Sequence, residues 1–205
     1  MAENKVFFKC EDFDLEGLLD DRPGEKAVVM CHPHPLYGGE MRNNVVDAVI
    51  QAYADKGYTT LRFNFRGVGM SGGSYGEGID EGKDVKAALQ FLGERGKVEL
   101  DVGGYSFGAW VCARGLDGFE EAGRLIMVSP PVTAMDMGFL TFHEKIRLVI
   151  AGSRDEIGDE GMIRDMMPTW NPEAQLRSIE GADHFYWNQT GEIRRIVGEF
   201  LESNQ

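Results

Sequence analysis

The stretch VELDVGGYSFGAWVCARG, residues 98–115, joins an apolar strand pattern directly to a helix pattern. The joint is Gly104-Tyr105-Ser106-Phe107-Gly108, which fits the pattern G-x-S-x-G. In that pattern a sharp strand-to-helix turn lifts the serine side chain out of the sheet. Glycines on either side leave room where a Cβ atom would collide with neighbouring backbone. We therefore predict that Ser106 is a nucleophile on such a turn, with an ordinary glycine-rich turn as the alternative.

Outward from this turn, strand and helix patterns alternate along the chain. The strand patterns lie near residues 27–31, 61–65, 98–103, 125–129, 148–151 and 175–179. Residues 6–20 alternate apolar and polar side chains and predict one or two short strands, with a hairpin at one edge of the sheet as one arrangement. A methionine-rich helix near residues 159–167 is predicted to stop at Pro168, because proline lacks the backbone N–H. The alternation predicts an α/β fold with a mostly parallel sheet, in a single domain spanning residues 1–205.

Composition and charge limit the function. Among 205 residues, 21 Lys and Arg oppose 34 Asp and Glu, which gives a formal net charge of −13. A surface of this charge repels phosphate backbones and anionic lipid, so we expect neither a nucleic-acid nor a membrane partner. The opening residues MAENKVFFKCEDFD lack the basic and then apolar pattern of a signal peptide. The three cysteines, Cys10, Cys31 and Cys112, suggest no disulfide framework, so we expect a cytoplasmic protein.

A serine nucleophile needs a base, and the base needs a group that orients it. His184 lies in Gly-Ala-Asp-His-Phe, between the last strand and the last helix, and Asp155 follows the strand pattern RLVIAG. Both are expected at the same edge of the sheet as Ser106, where ligands of parallel sheets bind. Glu156 and Asp183 are competing carboxylates, although Asp183 is disfavoured because a side chain rarely reaches round to orient its neighbour. We predict the catalytic residues Ser106, Asp155 and His184.

An oxyanion hole needs two N–H donors aimed at the developing charge. Phe107 is expected to supply one, at the amino end of its helix. The second is expected in the loop CHPHPLYGG, residues 31–39, where His34 is the favoured donor and Leu36 the weaker alternative. His32 and His34 also form an H-x-H pair. This pair alone does not complete a metal-ligand set, so we expect no metal and no organic cofactor.

A second glycine-rich stretch, GVGMSG at residues 67–72, matches the dinucleotide pattern G-x-G-x-x-G. More loop follows it, with no immediate helix, so a bound pyrophosphate would lack its helix terminus. We therefore predict no nucleotide site here. The simpler interpretation is a flexible loop beside the active site.

Several ordered motifs carry a family resemblance. They are C-H-P-H-P-x-x-G-G, R-F-N-F-R-G-V-G-x-S-x-G, G-Y-S-F-G-A, G-x-R-D-E-I and G-A-D-H-F. Together they resemble a compact bacterial branch of the α/β-hydrolase superfamily, similar to dienelactone hydrolases and small serine esterases. The resemblance implies a three-layer sandwich with an antiparallel amino-terminal edge, and the triad Ser106, Asp155 and His184 with the Phe107 N–H in the oxyanion hole. Dienelactone hydrolases proper use cysteine where this chain has Ser106, so their substrate is not carried over.

The length of one connection suggests the shape of the site. About 15 residues separate Pro131 from Arg147, too few for a lid domain, so we expect a shallow, open site for short acyl groups. Six aromatic residues are candidates for an apolar wall near its mouth, with core packing as the favoured alternative for each one taken singly: Tyr37, Trp110, Phe139, Phe142, Phe185 and Trp187.

The expected function is a serine hydrolase that cleaves small carboxylic esters through an acyl-enzyme on Ser106. The alternatives are a peptidase or thioesterase with the same triad, and a non-catalytic binding protein of hydrolase fold. The expected partner is a small-molecule ester or acyl substrate, and the oligomeric state is left open.

Overall fold

The computed structural model describes residues 3–203, which form an eight-stranded sheet flanked by five α-helices. The strands are β1 (Asn4–Cys10), β2 (Phe13–Asp20), β3 (Lys26–Cys31), β4 (Thr59–Phe63), β5 (Glu99–Tyr105), β6 (Ala122–Val128), β7 (Ile146–Gly152) and β8 (Gln175–Ile179). The helices are α1 (Asn44–Asp55), α2 (Glu81–Gly93), α3 (Phe107–Gly115), α4 (Glu160–Trp170) and α5 (Thr190–Ser203).

The sheet has the order β1-β2-β4-β3-β5-β6-β7-β8. From β4 to β8 neighbouring strands are parallel, and the β1–β2 hairpin joins β4 in antiparallel fashion. The predicted α/β fold with an antiparallel amino-terminal edge is thereby confirmed. Because six strands run in parallel, the loops that follow β3, β5, β6, β7 and β8 all leave the sheet at one edge.

Two apolar cores lie on opposite faces of the sheet. Val28 and Met30 of β3 face the core formed with α1 and α5. Ala27, Val29 and Cys31 face the core formed with α2, α3 and α4. A strand covered on both faces needs apolar side chains at every position, which explains the continuous run AVVMC. Within residues 3–203, no helix combines the length and apolar character needed to cross a membrane.

The predicted end of the fourth helix at Pro168 is wrong, because α4 continues through this residue to Trp170. Proline cannot donate to the carbonyl of Arg164. Both residues are exposed, however, so that carbonyl faces solvent and water can satisfy it. Trp170 is buried in the core, and the Asn171 N–H donates to the Met167 carbonyl at 2.9 Å. Burial of the indole therefore extends the helix beyond the position where local propensity would end it.

A buried ion pair ties the hairpin edge to α2. The fully buried Asp84 carboxylate accepts hydrogen bonds from Arg66 Nη2 at 2.7 Å and from the Arg66 backbone N–H at 2.9 Å. Cys10 Sγ of β1 donates to the same carboxylate at 3.3 Å. Burial and the adjacent Asp84 charge raise the pKa of the Cys10 thiol to about 12, so this thiol remains a donor. One carboxylate thus joins β1, α2 and the segment after β4.

The glycine-rich loop 67–72 packs on the same hairpin. The Ser71 hydroxyl donates to the Asn64 carbonyl at 2.6 Å and accepts from the Glu16 N–H at 2.9 Å. The Met70 N–H donates to the Glu16 carboxylate at 2.9 Å. These contacts correct the expectation of a flexible loop beside the active site, since they hold the loop on β2.

We expect Asp84→Ala to lower the free energy of unfolding by about 3–5 kcal/mol, because it leaves the buried Arg66 guanidinium with exposed carboxylates as its remaining partners. Chemical denaturation measures this loss. The control is Asp55→Ala, which removes an exposed pair with Arg194 (2.6 Å) and should cost at most about 1 kcal/mol. Equal losses in the two variants would contradict the role assigned to Asp84.

Candidate active site

The turn between β5 and α3 presents Ser106 at the carboxyl edge of the sheet. Its backbone, at φ +54° and ψ −117°, lies outside the regions that residues other than glycine ordinarily occupy. A Cβ atom on Gly104 would lie 2.2 Å from the Gly108 carbonyl carbon. One on Gly108 would lie 2.5 Å from the Cys31 carbonyl oxygen. The two glycines are therefore what allows the strand, the serine and the helix to meet this closely.

The structure brings Ser106, His184 and Asp155 together from the ends of three strands. Ser106 Oγ lies 2.9 Å from His184 Nε2. His184 Nδ1 lies 3.0 Å and 2.9 Å from the two carboxylate oxygens of Asp155. Because an ionised carboxylate only accepts, Nδ1 carries the proton in the neutral ring, and Nε2 can accept the serine proton. This is the arrangement that a serine nucleophile requires.

The carboxylate of Asp155 has three further donors. The backbone N–H groups of Ile157 and Gly158 donate to Oδ1 at 2.9 Å and 2.7 Å. The Ser129 hydroxyl donates to Oδ2 at 2.5 Å. Burial by itself would raise the pKa of this carboxyl, but hydrogen bonds from His184, Ser129 and Gly158 hold the pKa below its ordinary value. Asp155 is consequently ionised at neutral pH.

The competing carboxylates, Glu156 and Asp183, lie elsewhere. Asp183 Oδ1 accepts the backbone N–H groups of Phe185 at 3.0 Å and Tyr186 at 3.1 Å, so it shapes the loop that carries His184. Glu156 is exposed at the surface. In the described part of the chain, neither carboxylate bonds the His184 ring.

The loop after β3 lies against the turn that carries Ser106, with the His34 and Phe107 ring centroids 4.7 Å apart. Burial lowers the pKa of His34, so its ring is neutral and Nδ1 accepts the Leu36 N–H at 3.3 Å. The Leu36 N–H is thus occupied, whereas the His34 N–H meets no acceptor among residues 3–203. The Phe107 N–H begins α3 and has no partner in that helix. This arrangement favours His34 over Leu36 as the second donor beside Ser106.

His32 has a structural position. It is fully buried, its Nδ1 lies 2.7 Å from the Pro33 carbonyl, and its Nε2 accepts the Phe65 N–H at 3.1 Å. Burial lowers the pKa of His32 to about 4, so the ring is neutral with its proton on Nδ1. Both ring nitrogens are therefore used to join β3 to the segment after β4. No group of three or more His, Cys, Asp or Glu among the described residues is placed to hold a metal ion.

Sequence reasoning missed three residues around the triad, of which Tyr105 and Ser129 contact it directly and Tyr186 contacts it through Ser129. The Tyr105 hydroxyl donates to the His184 carbonyl at 2.5 Å. The Ser129 hydroxyl contacts both Asp155 and the Tyr186 hydroxyl, the latter at 2.6 Å. Ser129 had a sequence signal, because it is the last residue of the strand pattern 125–129 and so lies at the functional edge. Nothing local in the sequence marks Tyr186.

A cleft of about 730 Å³ opens over Ser106 and His184. Its apolar and aromatic lining residues are Pro33, Tyr37, Tyr105, Phe107, Pro131, Ala134, Met135, Ile157 and Phe185. No Lys, Arg, Asp or Glu side chain is among the residues that line it. The cleft therefore offers hydrogen-bonding groups at the triad and an otherwise uncharged wall.

The predicted aromatic mouth is correct only in part. Tyr37 and Phe185 line the cleft and are themselves exposed. Trp110 is buried in the core, and Phe139 packs against that core. The two remaining aromatics, Phe142 and Trp187, are exposed outside the cleft lining.

Known proteins share both sequence and structure with this chain. It is 32% identical over 209 residues to an uncharacterised protein of Rickettsia prowazekii (strain Madrid E), covering 96% of this chain and 88% of that protein. An alpha-beta serine hydrolase homologue from Coxiella burnetii matches with a TM-score of 0.90 and 30% identity, covering 98% of both chains. A serine hydrolase without a lid from Xanthomonas campestris matches with a TM-score of 0.86 and 27% identity, over 99% of this chain and 95% of that one. No protein-family model matches the chain.

The chain belongs to the α/β-hydrolase superfamily. The predicted superfamily and the predicted lidless architecture are thereby confirmed. Its structural relatives are serine hydrolases, which places the chain among the hydrolases.

We expect Gly104→Ala to lower the melting temperature and to disturb the position of Ser106, because the new methyl would meet the Gly108 carbonyl at 2.2 Å. The matched control is Gly82→Ala in α2, where nothing lies within 4 Å of an added Cβ. Alanine is the better helix former, so this control should gain up to about 1 kcal/mol of stability. Thermal denaturation compares the variants, and a stable Gly104→Ala protein would contradict the packing described for the turn.

Proposed function

We propose that this α/β hydrolase cleaves small carboxylic esters through an acyl-enzyme on Ser106. The observation that carries the proposal is the continuous contact from Ser106 Oγ to His184 Nε2 (2.9 Å) and from His184 Nδ1 to Asp155 (2.9 Å). Ser106 and His184 line the cleft, and the buried Asp155 lies within hydrogen-bond distance of the His184 ring. Such a constellation activates a hydroxyl that is otherwise a weak nucleophile.

In the proposed reaction, Ser106 Oγ attacks the ester carbonyl carbon while its proton passes to His184 Nε2. The new Oγ–C bond makes the carbonyl oxygen an oxyanion, which the N–H groups of Phe107 and His34 stabilise. His184 then gives the proton to the alcohol as the ester C–O bond breaks. Water enters and repeats the sequence on the acyl-enzyme, releasing the carboxylic acid and restoring Ser106. Asp155 stays ionised throughout and stabilises the imidazolium.

The cleft suggests which esters fit. No Lys, Arg, Asp or Glu side chain lines it, and His184 becomes charged only when it takes up the serine proton. The chain as a whole has a formal net charge of −13. A substrate carboxylate would enter without a cationic partner, and burying an unpaired charge is costly. Pro131, Ala134 and Met135 belong to the short connection that replaces a lid, so they bound the cleft on one side without closing it. We infer a preference for short, uncharged acyl groups.

Two other activities would use the same geometry. A peptidase or thioesterase differs in the leaving group alone, and a binding protein of this fold would leave the triad unused. No contact in the cleft favours either over an esterase. All three cysteines are free and buried, which supports a reducing compartment such as the cytoplasm as the place of the reaction.

We expect a fluorophosphonate probe to label Ser106 in the folded protein, because His184 increases the nucleophilicity of this hydroxyl. Ser106→Ala should abolish labelling, and both Ser106→Ala and His184→Ala should lower kcat by roughly 10⁴-fold or more. Mass spectrometry locates the label. The matched control is His143→Ala, whose ring lies 3.5 Å from Asp117 and outside the cleft lining. Absence of label on Ser106 while the protein is folded would overturn the proposal.

We expect the specificity constant kcat/KM for p-nitrophenyl esters to be highest for short acyl chains and to fall towards decanoate. A matched pair tests charge: p-nitrophenyl butyrate and p-nitrophenyl hemisuccinate have similar size, but the second carries a carboxylate. The neutral ester should be favoured by about tenfold or more, equivalent to about 1.4 kcal/mol of transition-state stabilisation. A preference for decanoate or for hemisuccinate would contradict the inferred substrate class.

A further inference from the structure

A chain of buried hydroxyls continues from the Asp155 carboxylate, starting at its oxygen Oδ2. Ser129 and Tyr186 are both fully buried. Ser129 Oγ lies 2.5 Å from Asp155 Oδ2 and 2.6 Å from the Tyr186 hydroxyl oxygen. Neither residue lines the cleft, so neither is placed to touch a substrate.

The direction of this chain follows from counting protons. A carboxylate only accepts, so the one proton of the Ser129 hydroxyl goes to Asp155. Ser129 can then only accept from Tyr186, whose phenol is the donor. Burial raises the pKa of Tyr186, so the phenol stays protonated and the direction is kept. The hydrogen bonds run from Tyr186 to Ser129 to Asp155.

The backbone is held in uncommon conformations where these hydroxyls meet. Ser129 has a φ of +44° and Tyr186 a φ of +53°, values that residues other than glycine rarely adopt. Such conformations persist where the surrounding structure over-determines them, and they concentrate at functional sites. The Ser129 N–H donates to the Ile150 carbonyl at 2.8 Å, which anchors the residue to β7. A Cβ atom on Gly158 would lie 3.0 Å from both Asp155 Oδ2 and the Ser129 Cα atom, so this junction is closely packed.

We propose that Ser129 and Tyr186 are positioning residues that hold the ionised Asp155 carboxylate, and through it the tautomer and orientation of the His184 ring. The proposal rests on the proposed function of the triad and adds two residues to it. Ser129 comes from the end of β6 and Tyr186 from the loop after β8. Asp155 itself follows β7, so two independent elements fix its carboxylate.

The surroundings of Asp155 determine the sign of the expected pH effect. The titratable groups around it are His184 and Tyr186 from the loop after β8 and Tyr105 from β5, and the Asp183 charge acts on the same two tyrosines. Removing the Ser129 hydroxyl takes a donor from the charged form, which raises the pKa of Asp155. The Asp155 carboxylate then shares less of its negative charge with donors other than His184, and this charge favours the protonated His184 ring. The second effect moves the acid limb of the kcat/KM profile, at which the base takes up its proton, to higher pH.

The test compares Ser129→Gly and Tyr186→Phe with the wild-type protein on p-nitrophenyl butyrate. Glycine accepts the positive φ at position 129, so Ser129→Gly removes the hydroxyl without adding backbone strain. We expect this variant to lower kcat by about tenfold or more, because a misplaced base loses rate more than binding. Its KM should change less than about twofold, with the acid limb moved up by about half a pH unit or more. Tyr186→Phe should change kcat and the acid limb in the same direction and by less.

Two comparisons separate positioning from general stability. Tyr53→Phe is the matched control, since Tyr53 is fully buried and donates to the Asp101 carboxylate at 2.7 Å near the start of β5. It should lower the melting temperature without moving the acid limb. The double variant of Ser129→Gly with Tyr186→Phe should be no slower than Ser129→Gly alone, because Tyr186 acts through Ser129.

The experiments test the positioning role of Ser129 and Tyr186 separately from the proposed ester hydrolysis. A wild-type protein that neither binds the fluorophosphonate nor cleaves any ester would refute the proposed function. The inference then still has its own readout: the NMR resonance of the His184 Nδ1 proton, which should move downfield in Ser129→Gly as Asp155 becomes a stronger acceptor. An unchanged resonance, or an unchanged acid limb with a lower melting temperature alone, would reduce Ser129 to a structural role and overturn the inference.

Discussion

The charge of a buried carboxylate is the constraint around which this end of the molecule is organised. Asp155 is only 4% exposed, and an ionised group removed from water costs several kcal/mol unless protein donors replace its hydration. Hydrogen bonds to a charged group contribute about 1.5–3 kcal/mol each. Ile157, Gly158 and Ser129 supply three of them in addition to His184. These four donors offset the desolvation penalty, and they come from the ends of β6, β7 and β8.

The four donors can meet at Asp155 because the sheet is rigid and the loops after its strands adopt uncommon backbone conformations. Ser106, Ser129 and Tyr186 all have positive φ angles, and each follows a strand within a few residues or lies in the loop that follows one. Parallel strands with apolar cores on both faces tolerate such local strain, since the strands are held by packing rather than by their loops. The Arg66–Asp84 pair follows β4 beside the hairpin edge, and neither residue lines the cleft over Ser106.

A feature of the fold or the site could be predicted from the sequence where the contacts that determine it are local. The G-x-S-x-G turn and the continuous apolar run of β3 are local patterns, so the fold and Ser106 could be predicted directly. Trp170 extends α4 past a proline through a tertiary contact, which local propensity does not contain. Ser129 meets Tyr186 across 57 positions of the chain, and no periodicity connects them. The choice between His34 and Leu36 depends on a side-chain cap, which becomes visible only with coordinates.

The short connection in place of a lid has a consequence for the fate of an acyl-enzyme. A closing lid sequesters an intermediate and limits which nucleophile reaches it. Within residues 3–203, the cleft over Ser106 has an apolar wall, and the connection after Pro131 is too short to form a lid domain over it. An acyl group on Ser106 would therefore be open to small alcohols as well as to water. The partition between acid and new ester would then follow the concentrations and nucleophilicities of these two acceptors in the surrounding medium.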